Sequence, residues 1–216
     1  MERMRADIEE VTSLTVMMGE LALSMLERSV ESLPNHDKEF VLNMKEDYER
    51  IERLDHNIEE KAFRILMIYQ PMSRDMRLVA TILKMITYLE RIGKYGYKIS
   101  KCSADLDTVD EDLFANIKEM GFISIKMIRG TLDSLKTGNT LELLSYGIME
   151  SRLDELRRDT QRESLESMRF DSNKTDEGNS CIAVSRYFER AGDYACKLAE
   201  KIIFMISGEY VVFIQE

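Results

Sequence analysis

The sequence predicts an all-α protein built as two tandem antiparallel three-helix bundles related by an internal repeat. Three observations predict it. Apolar residues recur at helical spacing along nearly all of the 216 residues. The chain holds only two Pro and ten Gly beside fifteen Met, and no stretch shows the Val-Thr-Tyr alternation of a strand. Finally, one helical phrase is written twice: TYLERIGKYGYKI at 87–99 returns as RYFERAGDYACKL at 186–198.

Six helices separate at turn signals. The first runs from about Met4 to Leu33 and stops at Pro34-Asn35; the second opens near Asp37 and continues to about Tyr69. Gln70-Pro71 breaks it, because the residue before Pro avoids the right-handed helical region. Ser73 is placed to cap a third helix that reaches Lys101. Residues 103–110 read as a short polar loop in which Thr108 and Glu111 fit a capping box for the fourth helix, ending near Lys136. Gly138 suits a C-terminal cap, and Asn139 with Glu142 opens the fifth helix. DSNKTDEGN, residues 171–179, reads as the longest polar loop, before a sixth helix that ends at Gly208 and leaves the tail EYVVFIQE.

The repeat extends beyond that one phrase. Met18-Gly19 in the first helix matches Met120-Gly121 in the fourth at an offset of 102, while the third and sixth helices match at 99. Loss of three residues from the last interhelical loop accounts for the change. The division is therefore residues 1–104 for the first bundle, 105–208 for the second and 209–216 for the tail. Long helices joined by short loops pack antiparallel, and each bundle buries its own apolar stripe.

Composition bounds the function. A net charge of −10 argues against a nucleic-acid footprint, which needs a basic stripe, and against binding anionic lipid through bulk charge. It suits cations or a basic protein partner. Three cysteines, an odd number without a CxxC, point to buried thiols in a reducing cytoplasm. The N-terminus MERMRADIEE has no apolar signal region, and no run approaches the roughly 20 apolar residues that cross a bilayer. Phosphate-binding glycine loops, HExxH and GxSxG are missing, and no Ser or Cys stands in a recognisable nucleophile motif.

The chemistry lies in spaced carboxylates. Glu150 and Asp154, and Glu189 and Asp193, each stand one helical turn apart on a shared face. Like charges at that spacing cost a helix roughly 0.2–0.5 kcal/mol per pair. Two readings compete. Neighbouring Arg157, Arg158, Arg186 and Arg190 neutralise the acids, or the two pairs converge on a divalent cation. Di-iron carboxylate bundles want Glu-x-x-His twice, and the chain has only His36 and His56, with Arg53 at the needed position. Glu52, His56 and Glu60 share a face that reads as solvated helix surface. Tyr210 to Phe213 in the tail read as a packing, dimer or docking element.

Glu189-Arg-Ala-Gly-Asp193 and Glu90-Arg-Ile-Gly-Lys94 resemble the ERIGD signature found twice in the PhoU family of phosphate-uptake regulators. Gln70-Pro71 with Asp75-Met-Arg77 resembles that family's QP…DLR segment, Glu150-Ser-Arg-Leu-Asp154 its acidic motif in the preceding helix, and Ile206-Ser-Gly-Glu209 its closing turn. The resemblance covers nearly the whole chain in order. It implies paired three-helix bundles in a cytoplasmic, dimeric protein without catalysis. Such a protein would regulate phosphate uptake and signalling through the phosphate ABC transporter, on its ATPase side, and through a sensor kinase, reaching the membrane only by way of a protein partner. It also implies iron or zinc on the acidic motifs, while an all-oxygen ligand set leaves Fe, Zn, Mn, Mg or Ca open. Carried over residue by residue, the ligands are Glu150, Asp154, Glu189 and Asp193. The alternative is a metal-binding or metal-dependent helical protein that uses the same acids.

The first half departs from this pattern. Lys94 replaces an acid, and the positions matching Glu150 and Asp154 are Tyr48 and Glu52. Glu90 and Lys94 form an i,i+4 ion pair in the favourable order. The expectation is therefore asymmetric: cation in the second bundle only, with a built-in ammonium replacing it in the first.

Overall fold

The structure, a computed structural model, describes residues 2–33, 38–103, 106 and 111–213. It is all helical, with no strand among the described residues. The helices are α1 (Glu2–Glu31), α2 (Lys38–Tyr69), α3 (Ser73–Cys102), α4 (Glu111–Thr137), α5 (Tyr146–Phe170) and α6 (Thr175–Ser207). The turn at Pro34-Asn35, the opening at Asp37 and the Thr108 half of the capping box fall outside the described residues.

Three local expectations need correction. Ser73 does not cap α3: Met72 holds the cap position in extended conformation without a side-chain hydrogen bond. Gln70 and Ser73 instead take positive φ of 46° and 52°. Pro71 denies Gln70 the right-handed helical region, and such non-glycine residues cost on the order of 1–3 kcal/mol each. The fifth helix begins later than Asn139–Glu142 suggests. Asn139 Oδ1 accepts from the Leu141 N–H at 3.1 Å, which opens only a 3-10 turn over Glu142–Ser145. The regular helix starts at Tyr146, whose buried hydroxyl donates to the Met127 carbonyl.

The third correction concerns 171–179. Most of this polar stretch is helical, because Asp171 Oδ1 accepts from the Asn173 N–H at 3.0 Å and a short 3-10 turn leads into α6 at Thr175. Asp176 and Glu177 sit in its first turn, where negative charge complements the helix dipole. Gly178 is buried so tightly that an added Cβ would lie 2.3 Å from Met168 Cε. Packing against α5 overrides the loop-like composition. At the other ends the glycine caps hold: Gly138 (φ 74°) follows α4 and Gly208 (φ 81°) follows α6.

The repeat is a repeat of contacts. Each bundle packs its own three helices, and the two join through α3 against α6 and α1 against α4. The α1–α4 crossing is closed by the paired glycines: a Cβ on Gly19 would lie 2.4 Å from Leu132, and one on Gly121 2.6 Å from Val30. Leu132 is the counterpart of Val30, so the two contacts exchange under the 102-residue offset. The glycines of the repeated phrase act within each bundle. A Cβ on Gly93 would strike Ile51 at 2.3 Å, and one on Gly192 would strike Leu153 at 2.3 Å, again at matching positions. Glycine there lets the second and third helix of each bundle meet closely, which brings the flanking Glu90 or Glu189 up to that seam.

α3 and α6 run antiparallel. Tyr88 stacks on Tyr194 (5.5 Å between ring centroids), Tyr95 on both Tyr194 (6.1 Å) and Tyr187 (5.6 Å), and Arg77 donates to the Met205 carbonyl. The tail folds back over the bundle end. Tyr210 stacks on Phe204, Phe213 lies against Tyr146, and the Phe213 N–H donates to Glu200 at 2.9 Å.

Candidate functional site

The structure brings Glu150 and Asp154 of α5 to the same seam as Glu189 and Asp193 of α6. The closeness shows in their electrostatics. Burial first, then the Asp154 and Asp193 charges, push the Glu150 carboxyl above its ordinary value. Burial and Asp193 do the same to Glu189, against the pull of Arg190 and Arg157. Burial also leads the upward shift of Asp193, opposed by Arg190 and Lys197. The α6 acids lie deepest, with side chains 14% (Glu189) and 16% (Asp193) exposed.

Two of the four candidate arginines enter this cluster. Arg157 Nε stands 3.7 Å from Glu189 Oε1 and 3.9 Å from Asp154 Oδ1. Arg190 reaches Glu189 Oε2 and Asp193 Oδ2, each at 3.5 Å. These are long ion pairs. Glu189 Oε2 and Arg157 Nε are both buried without a hydrogen-bond partner, so the cluster is neutralised but not satisfied. Arg158 makes no ion pair among the described residues, and Arg186 lines grooves on either side of α6 without joining the cluster.

The donor chemistry fits a hard or borderline divalent cation: all oxygen, partly buried, with an acceptor lacking a partner. The arrangement shown is that of the arginine-neutralised form. Among the described residues no three His, Cys, Asp or Glu side chains converge to hold one metal ion. A cation bridging α5 and α6 would have to displace Arg157 and Arg190. Cys196, one turn beyond Asp193, is fully buried, and its thiol is pushed up to about 12 by burial and by Glu150 and Asp193. It stays protonated and inert.

The equivalent seam in the first bundle is filled by its own side chains. The Tyr48 hydroxyl donates to Glu90 Oε1, Lys94 Nζ stands 3.7 Å from the same oxygen, and the ammonium lies 5.7 Å from the Tyr48 ring centroid. Arg91 Nε approaches Glu90 Oε2 at 3.4 Å. Burial and the Glu90 hydrogen bond raise the Tyr48 pKa, with Glu52 adding to it, so the phenol stays a donor. Beside this cluster Glu49, Glu52, Arg53, Asp55, His56 and Glu90 line an open groove of about 710 Å³, without Glu60. His56 is exposed, in keeping with a solvated face.

Sequence reasoning did not anticipate the tyrosine ladder between α3 and α6, nor the basic groove beside it. The signal was present: Tyr88 and Tyr187, Tyr95 and Tyr194, and Lys98 and Lys197 repeat at the 99-residue offset.

The chain is similar to known proteins along nearly its whole length. A family model described as "PhoU domain" matches residues 15–103 and again 117–202. The chain is 28% identical over 209 residues to a phosphate-specific transport system accessory protein PhoU homolog of Pseudomonas putida, covering 96% of this chain and 82% of that protein. It is 28% identical over 210 residues to the homolog of Clostridium acetobutylicum, covering 95% of each. Among solved structures, PhoU from Pseudomonas aeruginosa superposes with a TM-score of 0.88 at 26% identity, over 95% of this chain and 99% of the other. The phosphate transport system regulatory protein PhoU from Streptococcus pneumoniae shares the fold, with a TM-score of 0.85 at 21% identity over 96% of this chain and 99% of that one.

Proposed function

The chain belongs to the PhoU family, and from that premise we propose that it is a regulatory accessory protein of a phosphate transport system, acting by protein binding and not by catalysis. The observation that carries the reading is the pair of PhoU units, matched in order along a chain whose relatives bear that accessory role in their names. The partner is a phosphate ABC transporter, engaged on its ATPase side, with a sensor kinase as a second partner, and the protein works as a cytoplasmic homodimer. No described helix is long and apolar enough to cross a membrane, which supports contact with the transporter through protein. The units divide at 104/105, with residues 209–216 as a tail.

A docking surface is available. Met67, Met72, Leu141, Leu144, Ile148 and Tyr210 are all exposed, and the antiparallel packing gathers the α2–α3 and α4–α5 turns at one end of the molecule with the tail. Exposed apolar groups at one end of the molecule suit a protein interface. Deletion of the gene in its host should alter phosphate uptake. Uptake that is unchanged in both phosphate-rich and phosphate-poor medium would refute the role.

We further propose that Glu150, Asp154, Glu189 and Asp193 hold a divalent or transition cation in the second bundle. The upward shifts of Glu150, Glu189 and Asp193, led by burial, and the Glu189 Oε2 without a hydrogen-bond partner support it. A bound cation would supply the positive charge that Arg157 and Arg190 supply in its absence. Elemental analysis of protein purified without chelator or added metal is the direct test.

A further inference from the structure

A shallow groove of about 430 Å³ opens along the α3–α6 seam, lined by Tyr95, Lys98, Asn179, Arg186, Tyr187 and Arg190 with two aliphatic side chains. It contains no carboxylate. That is unusual in a chain of net charge −10, and the other four grooves described each carry at least one carboxylate. We propose that this groove binds a phosphoryl oxyanion, free or on a small carrier. The inference goes beyond the regulatory reading and stands on the groove alone.

Three features support an oxyanion. First, the cations have charge to offer. Among the described residues neither Lys98 nor Arg186 has a carboxylate partner, while Lys98 Nζ lies 5.3 Å from the Tyr187 ring centroid. Arg190 is only loosely held, at 3.5 Å from Glu189 and Asp193. Second, the donors differ in shape: two planar guanidinium forks, one ammonium, one amide and two phenols. Arginine forks match tetrahedral oxyanions in a two-point manner, and a phosphate dianion has oxygens enough for several donors at once. Third, the framework is rigid. Tyr95 stacks on Tyr187 at 5.6 Å and on Tyr194 at 6.1 Å, which fixes the floor between the two helices. Burial holds both phenols in the protonated, donating form. An anion in the groove competes with Glu189 and Asp193 for Arg190, so its arrival would loosen the neighbouring acidic cluster.

The groove is larger than one phosphate, so the test compares free and carried forms. Full-length protein in phosphate-free buffer is titrated calorimetrically with inorganic phosphate, pyrophosphate and AMP, with sulfate and chloride as controls and an acidic peptide as competitor. Phosphate or a phosphoryl compound should bind with saturation and in preference to chloride. Lys98→Ala and Arg186→Ala should each weaken it by about tenfold, while Lys126→Ala on the exposed face of α4 should not. Thermal unfolding of each variant separates lost binding from lost fold, and Arg186→Lys serves where the alanine variant is unstable. The inference is overturned if no phosphoryl compound binds at about 10 mM, a concentration corresponding to only about 3 kcal/mol. It is equally overturned if the groove variants bind like the wild type, or if only the acidic peptide binds, which would make the groove a protein-docking surface. Unchanged phosphate uptake on gene deletion would leave this in vitro result standing, so the two failures are distinguishable.

Discussion

Tyr48 on α2 donates its phenolic hydrogen bond to Glu90 on α3. Its counterpart in the second bundle is Glu150, and that of Glu90 is Glu189. Where the second bundle sets carboxylate beside carboxylate, the first supplies a neutral donor and, from Lys94, a cation 3.7 Å away. Lys94 also faces the Tyr48 ring. The first bundle is thus internally satisfied at a position where the second leaves a buried acceptor without a partner.

Removing that phenol should cost stability. Tyr48→Phe leaves Glu90, only 18% exposed at its side chain, short of a charge-assisted hydrogen bond, a loss of about 1–3 kcal/mol. Urea denaturation should show a lower midpoint with an unchanged slope. Lys94→Met should cost less, because its partly exposed ion pair is screened by solvent. The reverse order would show that the ammonium holds the seam.

The helix crossings predict opposite outcomes for two glycines. A Cβ on Gly96 would lie 3.0 Å from the backbone carbon of Met25 and 3.1 Å from its carbonyl oxygen, and backbone cannot swing aside. Gly96→Ala should destabilise by about 1–3 kcal/mol. At Gly147 in α5 an added methyl would meet only the Phe213 carbonyl oxygen, at 3.7 Å. Gly147→Ala should stabilise by up to about 1 kcal/mol through helix propensity. Thermal melts of the two variants should move in opposite directions.

Acid should strengthen the metal-free second bundle. Glu150, Glu189 and Asp193 are each held above their ordinary values, mainly by burial. A group whose folded pKa is raised contributes stability that is complete below its unfolded value, about 4 for these carboxyls. That contribution is lost as pH rises through the folded value. In chelator, Asp193→Asn should therefore be more stable than wild type at pH 7, and the gap should close near pH 4. Denaturation at several pH values checks this. A variant less stable at pH 7 would show that Arg190 and Lys197 outweigh burial at this position.

The sequence revealed architecture better than termini. The repeat was readable because the same contacts recur: Gly19 with Gly121 at the α1–α4 crossing, Gly93 with Gly192 under Ile51 and Leu153. Contacts that set helix spacing demand particular residues, and so leave a trace in the letters. Helix starts were less legible. Ser73 looked like a cap but follows a strained turn, and the polar stretch 171–179 is mostly helix because Gly178 seats against Met168. Local sterics at Pro71 decide the first and tertiary packing the second. The four carboxylates are legible in their spacing, and the entry of Arg157 and Arg190 matches one of the two readings that this spacing leaves open. The tyrosine ladder was missed because each tyrosine alone reads as ordinary core.

Metal, where the protein takes it up, should enter the second bundle alone. Lys94 stands beside Glu90 as a built-in positive charge, and a divalent cation brought within about 4 Å of it would be opposed by about 2 kcal/mol in water and by more where solvent is excluded. Tyr48 adds a neutral donor where a ligand would be needed, and its raised pKa keeps it from ionising to serve as one. In the second bundle no such neutral donor stands at the matching position, which is Glu150, and the cations beside the acids are Arg157 and Arg190 at 3.5–3.9 Å, with Lys197 near Asp193. Protein purified without chelator should lose metal on Asp193→Asn and keep it on Lys94→Ala, as read by elemental analysis. Binding should also weaken as pH falls, since the ligands must be deprotonated. Equal metal in wild type and Asp193→Asn, or a cation found beside Glu90 with the α5–α6 acids vacant, would reverse the assignment of the two bundles.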